Sequence, residues 1–173
     1  LWAPHYMETL SPYQQPDSLQ LCPALQLFAS PGEYEPAVLA VRPETELTAF
    51  QVELAPLRSA SGAEIPVEHL EMRIASELAL KNFRVENSYF WRPELLECFS
   101  DLTLRAGRTS YFWLTVHVPP SAAPGDYRSE VVLRAAGKPD RRVPLILHDW
   151  PIELAEPEME LGMYLGGHQK DLE

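Results

Sequence analysis

Residues 108–118 constrain the fold more than any other part of the sequence. Side chains alternate along this segment, so that Phe112 and Leu114 share one face of a strand while Tyr111 and Trp113 share the other. Both faces are bulky, which is typical of a strand that lies inside a sheet and is covered on both sides. The segment therefore predicts the central strand of a layered β structure.

Proline is spread along the rest of the chain in a way that favours the same architecture. The 173 residues include 17 prolines, about twice the usual ~5%, and they do not gather in one tract. Because proline breaks helices and is tolerated at strand ends and edges, this spacing divides the chain into short strands. Pro-Gly pairs at 31–32 and 124–125 predict tight turns, and residues 136–140 predict a hairpin. Only residues 93–97 fit a single helical turn.

These patterns predict an all-β fold, an antiparallel β-sandwich of about 8–10 strands of the immunoglobulin or jelly-roll type with little helix. We expect the sandwich to occupy residues 1–154. Residues 155–160 are acidic and contain a proline, which is typical of a linker. Residues 161–173 begin with a short apolar run, which indicates the truncated start of a further domain.

The charge of the chain bears on its possible partners. Lys and Arg total 14 against 25 Asp and Glu, for a net charge of -11. Nucleic acids and anionic membranes both require clustered positive charge, so we expect neither as a partner. The chain begins at Leu1 without an initiator methionine or a visible signal peptide, so we expect that upstream sequence was removed. A removed signal peptide would make the protein secreted or periplasmic, and the compartment stays open.

Motifs for catalysis, cofactors and metals are missing from the sequence. There is no Gly-x-Ser-x-Gly elbow, no phosphate loop and no His-x-x-x-His pair. We therefore expect no catalytic residue, no cofactor and no metal in this chain. Cys22 and Cys98 are too few for a disulfide scaffold, and whether they pair stays open. His117 is expected to be a hydrogen-bonded structural residue.

Two pairs of carboxylates have a spacing that acid–base catalysis uses. Glu33 and Glu35 would share a face of a strand, roughly 6.6–7 Å apart, which is within the span found in glycosidases. Glu94 and Glu97 would lie one turn apart on the predicted helical turn. A structural interpretation is favoured for both pairs: Glu33 caps a turn or pairs with an arginine, Glu35 faces solvent, and the other two lie on a solvated helical turn.

Three blocks of sequence resemble a known family. Residues 32–37 (GEYEPA), 111–116 (YFWLTV) and 118–127 (VPPSAAPGDY) resemble the N-terminal domain of glycoside hydrolase family 123-like proteins, in which a β-sandwich precedes a (β/α)8 barrel. The resemblance spans roughly residues 24–165. It implies a non-catalytic accessory domain of a multidomain glycoside hydrolase, with an N-acetylhexosaminidase as the parent protein. It also implies that residues 161–173 begin the barrel, which would be the partner of the sandwich. The family's catalytic Asp-Glu pair lies on the barrel, so no catalytic residue falls on this chain.

Four residues are candidates for contact with a ligand. The resemblance would place His168, which follows the predicted barrel strand, at the active-site face of a barrel. Tyr89 and Trp91 share one side of their predicted strand, and Trp113 contributes a bulky aromatic ring on the strand at 108–118. Exposed rings of this kind stack on sugars, so an independent carbohydrate-binding module is the alternative function. Packing in the core or against the next domain is favoured for these rings. A protein-interaction or adhesion sandwich is a third interpretation.

Overall fold

The computed structural model describes residues 1–16, 21, 24–82, 84–85, 88–152 and 162. Nearly all of the regular structure in these ranges is β-strand. A single-turn 3-10 helix at Val67–His69 interrupts the strands. The strands are Leu25–Ala29 (β1), Tyr34–Val41 (β2), Leu47–Leu54 (β3), Leu57–Ser59 (β4), Glu64–Ile65 (β5), Leu70–Lys81 (β6), Tyr89–Glu97 (β7), Leu102–Leu104 (β8), Ser110–His117 (β9), Gly125–Arg134 (β10) and Arg141–Asp149 (β11).

The strands form two sheets that face each other. The larger sheet has the order β1-β11-β10-β3-β8, with β4 paired to β10 and β5 paired to β4, and the smaller sheet has the order β2-β9-β6-β7. Pairing between the described strands is antiparallel except where β1 runs parallel to β11. The predicted all-β sandwich is therefore confirmed, with one parallel pair that the sequence did not predict.

Strand β9 is the central strand that its alternating pattern predicts. It lies between β2 and β6, and its inward residues Phe112 and Leu114 are fully buried. These side chains join the main core with Leu145 and Leu147 from the opposite sheet. Tyr111, on the outer face of β9, is only 1% exposed. Both faces of this strand are thus covered, although by different parts of the molecule.

The N-terminal segment (residues 1–16) covers the outer face of the smaller sheet. Trp2 is fully buried there and exchanges two backbone hydrogen bonds with Ala40, at 3.2 and 2.8 Å. The Tyr111 hydroxyl donates to the Ser11 carbonyl oxygen at 2.7 Å. Three prolines and little periodicity predict a loop over residues 1–20. In the structure, apolar contacts of the N-terminal segment form a second small core around Trp2 and Tyr111.

Two local predictions are wrong. Residues 93–97 form no helical turn, because they belong to β7 and pair with β6 through Ile74, Ser76 and Glu77. Strand β7 lies at the edge of its sheet, where the missing N–H of Pro93 is tolerated, and the extra residue Glu94 makes a bulge. The sequence also predicts that residues 65–67 continue as a strand, but only Ile65 is in β5, since the chain turns into the short helix at Val67–His69.

Three connections lie at one end of the sandwich: β1 to β2, β5 to β6, and β9 to β10. We call it the histidine end because His69, His117 and His148 lie there. The backbone of the 30–33 turn meets the residue after β9: the Gly32 N–H donates to the Val118 carbonyl oxygen at 2.8 Å, and the Val118 N–H donates to Glu33 at 2.9 Å. Gly32 has a φ of 90°, as the predicted type II turn requires. The first and third blocks of the family resemblance therefore meet at this end, and the second block pairs with the first through β9 and β2.

Several predictions fall on residues outside the described ranges. These are the linker at 155–160, the barrel strand at 161–165 apart from Gly162, His168, and Cys22. Cys98 is exposed and has a free thiol. Within the described ranges, no helix is long and apolar enough to cross a membrane.

Candidate functional site

A row of three polar aromatic side chains crosses the smaller sheet at the histidine end. Tyr34 of β2 lies opposite His117 of β9, and the pairing of Leu70 with Val116 places His69 next to His117 on the other side. The Tyr34 and His117 rings stack with centroids 4.2 Å apart and planes 11° apart. The two histidines approach through their Nδ1 atoms at 3.1 Å. His117 is therefore hydrogen-bonded, as the sequence predicts.

The histidine pair opens onto a shallow cavity of about 350 Å³. Its wall includes two exposed carboxylates, Glu68 and Glu71, and the hydroxyl residue Thr115. Glu71 also pairs with Arg73 at 2.7 Å. In the hydrogen bond between the two rings, one Nδ1 donates and the other accepts. The site can therefore both donate to and accept from a polar ligand.

A second aromatic cluster lies on the outer face of the larger sheet at the same end. Phe28 of β1 is opposite His148 of β11, and its ring stacks on Trp150 at 6.4 Å. His148 meets Trp150 edge-on at 4.2 Å, and its Nδ1 lies 2.6 Å from the Asp126 Oδ1. Phe28 is 55% exposed and Trp150 is 43% exposed. This cluster forms an apolar surface at the end of β11.

A buried carboxyl lies between these two clusters. Asp149 is 1% exposed, and neither of its side-chain oxygens has a hydrogen-bond partner among the described residues. Burial is the largest cause and raises the pKa of this carboxyl. His148 lowers the pKa, and the negative charge of Glu33 raises it by a smaller amount. In the described part of the chain, no three His, Cys, Asp or Glu side chains are grouped to hold a metal ion.

The two carboxylates of the predicted Glu33–Glu35 pair have different surroundings. The Glu33 Oε2 accepts a hydrogen bond from the Ser30 N–H at 2.6 Å, which confirms that Glu33 caps the turn. The expectation that Glu35 faces solvent is wrong. Glu35 is half-buried beside His5 in a cavity of about 690 Å³, because the N-terminal segment folds across it. Burial is the main cause that raises the pKa of Glu35, and Glu33 adds to it while His5 opposes it.

The predicted ligand aromatics separate into two places. Tyr89 and Trp91 are 63% and 52% exposed, so core packing is wrong for both. They lie on the β6–β7 hairpin, beyond Ile74, the last residue of β6 that pairs with β9. Trp113 is half-buried against Tyr6, with ring centroids 6.2 Å apart. Trp113 pairs with Arg73 of β6, and Trp91 pairs with Ala79, six residues further along the same strand. The two tryptophans are therefore about 20 Å apart along the strand direction.

Trp91 lines a cleft between the hairpin and the start of β9. The cleft measures about 460 Å³ and contains an ion pair between Arg108 and Glu77. Thr103, Arg105 and Ser110 complete the polar part of its wall. An exposed ring beside polar hydrogen-bonding groups is an arrangement that suits a polar ligand with an apolar face.

Sequence reasoning missed the aromatic residues at the histidine end. Phe28, Tyr34 and Trp150 are exposed there, and His69 joins His117, although no motif marks any of them. Alternation along β1 and β2 is the only local signal for Phe28 and Tyr34, since it places them on an outer face. Their grouping depends on strand pairs between distant segments, which local patterns do not reveal.

Comparison with known proteins supports the fold and no closer assignment. No protein-family model matches the chain, and no curated protein matches it. Among solved structures, a family 123 glycoside hydrolase from Clostridium perfringens aligns with a TM-score of 0.68 at 13% sequence identity. That alignment covers 78% of this chain and 24% of the hydrolase. The chain therefore corresponds to about a quarter of that protein.

Two further solved structures have a looser likeness. The PapD-like domain 7 of human CEP192 aligns with a TM-score of 0.42 at 14% identity, over 87% of this chain and 100% of that domain. A GH5 xyloglucanase from Bacteroides ovatus aligns with a TM-score of 0.37 at 8% identity, over 77% of this chain and 18% of the enzyme.

Proposed function

We propose that this chain is a non-catalytic N-terminal β-sandwich of a multidomain glycoside hydrolase, and that it supports a catalytic barrel that follows it. The observation that carries the proposal is the TM-score of 0.68 with one quarter of a family 123 glycoside hydrolase. At 13% identity this likeness concerns the fold. The role as an accessory domain, the N-acetylhexosaminidase activity of the parent protein and the barrel as partner are parts of the proposal.

The surface at the histidine end supports a docking role. Phe28, Trp150 and Ile152 are all between 43% and 55% exposed, and they lie on or next to the last described strand. A contiguous apolar surface on a soluble domain commonly marks a site of contact with another domain or protein. In the proposed protein the barrel would cover these side chains.

The test compares this chain with the natural gene product that contains it, using 4-nitrophenyl N-acetyl-β-D-galactosaminide as the substrate. We expect hydrolysis by the longer protein and none above background by the 173 residues alone. In the longer protein, Trp150→Ser should lower the thermal midpoint of the barrel, whereas Trp91→Ser, the matched change on the distant hairpin, should not. Activity of the 173 residues alone, or a longer protein without glycosidase activity, would contradict the proposal.

A carbohydrate-binding module is the second candidate function, and the exposed hairpin favours it. Tyr89 and Trp91 lie on the same side of β7, and Trp91 lines the cleft that contains Arg108 and Glu77. A flat aromatic ring next to hydrogen-bonding groups complements both the C–H face and the hydroxyls of a sugar.

A glycan array tests this second candidate. Trp91→Ala should abolish glycan binding while the thermal midpoint stays within a few degrees, because a half-exposed side chain contributes little to stability. Trp150→Ala, which removes an exposed indole from the other sheet, should leave binding intact. An array without signal for the unmodified chain would rule out the module.

A further inference from the structure

We propose that His69 and His117 form a binding site for a divalent transition-metal ion, with both Nδ1 atoms as ligands. The two Nδ1 atoms lie 3.1 Å apart on the outer face of the smaller sheet. Neutral imidazole nitrogen is a preferred ligand for Zn²⁺, Cu²⁺ and Ni²⁺. The proposal is independent of the accessory role and of carbohydrate binding, since it concerns neither the apolar surface around Trp150 nor the β6–β7 hairpin.

The separation of the two nitrogens fits two ligands of one metal ion. A metal–nitrogen distance of about 2.0–2.1 Å separates neighbouring ligands by about 2.9 Å at a 90° angle and by about 3.3 Å at the tetrahedral angle. The observed 3.1 Å lies between these values. The metal would lie to one side of the line between the nitrogens, so a small rotation of each ring would direct its Nδ1 towards it. Binding replaces the hydrogen bond, because the Nδ1 that donates in it must first give up its proton and the ring then carries its proton on Nε2.

The backbone holds both histidines in place before any ligand arrives. His117 is the last residue of β9, where its ring stacks on Tyr34 at 4.2 Å. His69 ends the short helix, and its N–H donates to the Pro66 carbonyl oxygen at 3.1 Å. The next residue, Leu70, is 7% exposed and pairs with Val116 of β9. Little conformational entropy is therefore lost when the two rings bind a metal.

The surroundings of the pair suit a cation. The cavity of about 350 Å³ leaves room for water molecules at the other coordination positions. Glu68 and Glu71 line this cavity and supply negative charge. Because the described residues provide no third ligand in place, we expect an open site with two protein ligands. Cu²⁺ should bind most tightly, since it stands highest in the general order of affinities for nitrogen ligands.

Calorimetric titration of the chain with CuSO4 tests the proposal. We expect one tight site per chain, with affinity lowered at least tenfold in His69→Gln and in His117→Gln. His148→Gln is the matched control, because His148 lies at the same end but its Nδ1 is 2.6 Å from Asp126 rather than from a second histidine. The control should bind Cu²⁺ within twofold of the unmodified chain.

A second measurement uses the unmodified chain and so does not depend on how the variants fold. Substoichiometric Cu²⁺ should broaden the amide resonances of Tyr34 and Thr115, which adjoin the pair, before those of Arg128 and Ile146 beside His148. Broadening centred on His148, no tight binding, or equal affinity in the His117→Gln variant would overturn the proposal.

Discussion

Replacing the buried carboxyl of Asp149 by an amide should stabilise the protein at neutral pH. Inward-facing residues of β11 alternate through Leu145 and Leu147 to Asp149, so this side chain continues the apolar row into the end of the core. It is 1% exposed, and its oxygens have no hydrogen-bond partner in the part of the chain that the structure describes. An unpartnered buried charge is unfavourable, and burial accordingly raises the pKa of Asp149 in the folded state.

The size of the effect follows from linkage. Below the unfolded pKa, near 3.8, the carboxyl is protonated in both states and stability is unaffected. As the pH rises from there through the raised folded pKa, the unfolded state releases its proton first, and the folded state loses about 1.4 kcal/mol per pH unit. Each unit of elevation thus corresponds to about 3–6 °C in the thermal midpoint of a chain of this size. The Asp149→Asn variant carries no such penalty.

Urea unfolding followed by circular dichroism between pH 3 and pH 8 measures the difference. We expect Asp149→Asn to exceed the unmodified protein in free energy of unfolding at pH 7, and the gap to close towards pH 3. Asp140→Asn is the control, because Asp140 is exposed and pairs with Arg134 at 3.1 Å, so its replacement should give no gain. A variant less stable than the unmodified protein at pH 7, or a gap that does not depend on pH, would refute the reasoning.

The remaining predictions concern the stability of the N-terminal segment and of the 30–33 turn. Tyr111→Phe removes the hydrogen bond to Ser11 and should lower the free energy of unfolding by about 1 kcal/mol, whereas Tyr13→Phe, at a residue 63% exposed, should not; calorimetry distinguishes them. Burial raises the pKa of Tyr111 to about 12, so its ultraviolet titration should lag behind that of exposed tyrosines. Gly32→Ala should lower stability by about 1–2 kcal/mol, because its φ of 90° is strained for alanine although no atom lies within 4 Å of the added Cβ; an unchanged thermal midpoint would contradict this.

Local patterns in the sequence predicted the strands and turns well. Alternation assigns Phe112 and Tyr111 to opposite faces of β9, and both are buried as expected of a central strand. The Pro-Gly pair at 31–32 predicts a turn, and Gly32 adopts the positive φ that this turn needs. These predictions succeed because side-chain alternation and turn chemistry depend on residues close together in the chain.

Local patterns failed where two kinds of structure fit the same residues. Residues 93–97 fit a helical turn with Pro93 at its start, yet they form part of β7 because β6 offers them a pairing partner. Glu35 is half-buried for a similar reason, since the N-terminal segment folds over it from more than twenty residues away. Tertiary contacts override a short local preference when they satisfy more backbone hydrogen bonds and bury more apolar surface.

The candidate sites depend almost entirely on tertiary structure. Alternation, proline spacing and turn signals in the sequence were enough to predict a β-sandwich, and alternation alone predicts that Tyr89 and Trp91 share one side of a strand. Only the folded structure brings His69 within 3.1 Å of His117 and aligns Phe28 with His148 in a parallel pair. Only the folded structure also buries Asp149 with no hydrogen-bond partner in the described ranges. The physical reason is that periodicity specifies which face of a strand is buried, whereas the neighbour of each strand is chosen by burial and hydrogen bonding over the whole molecule.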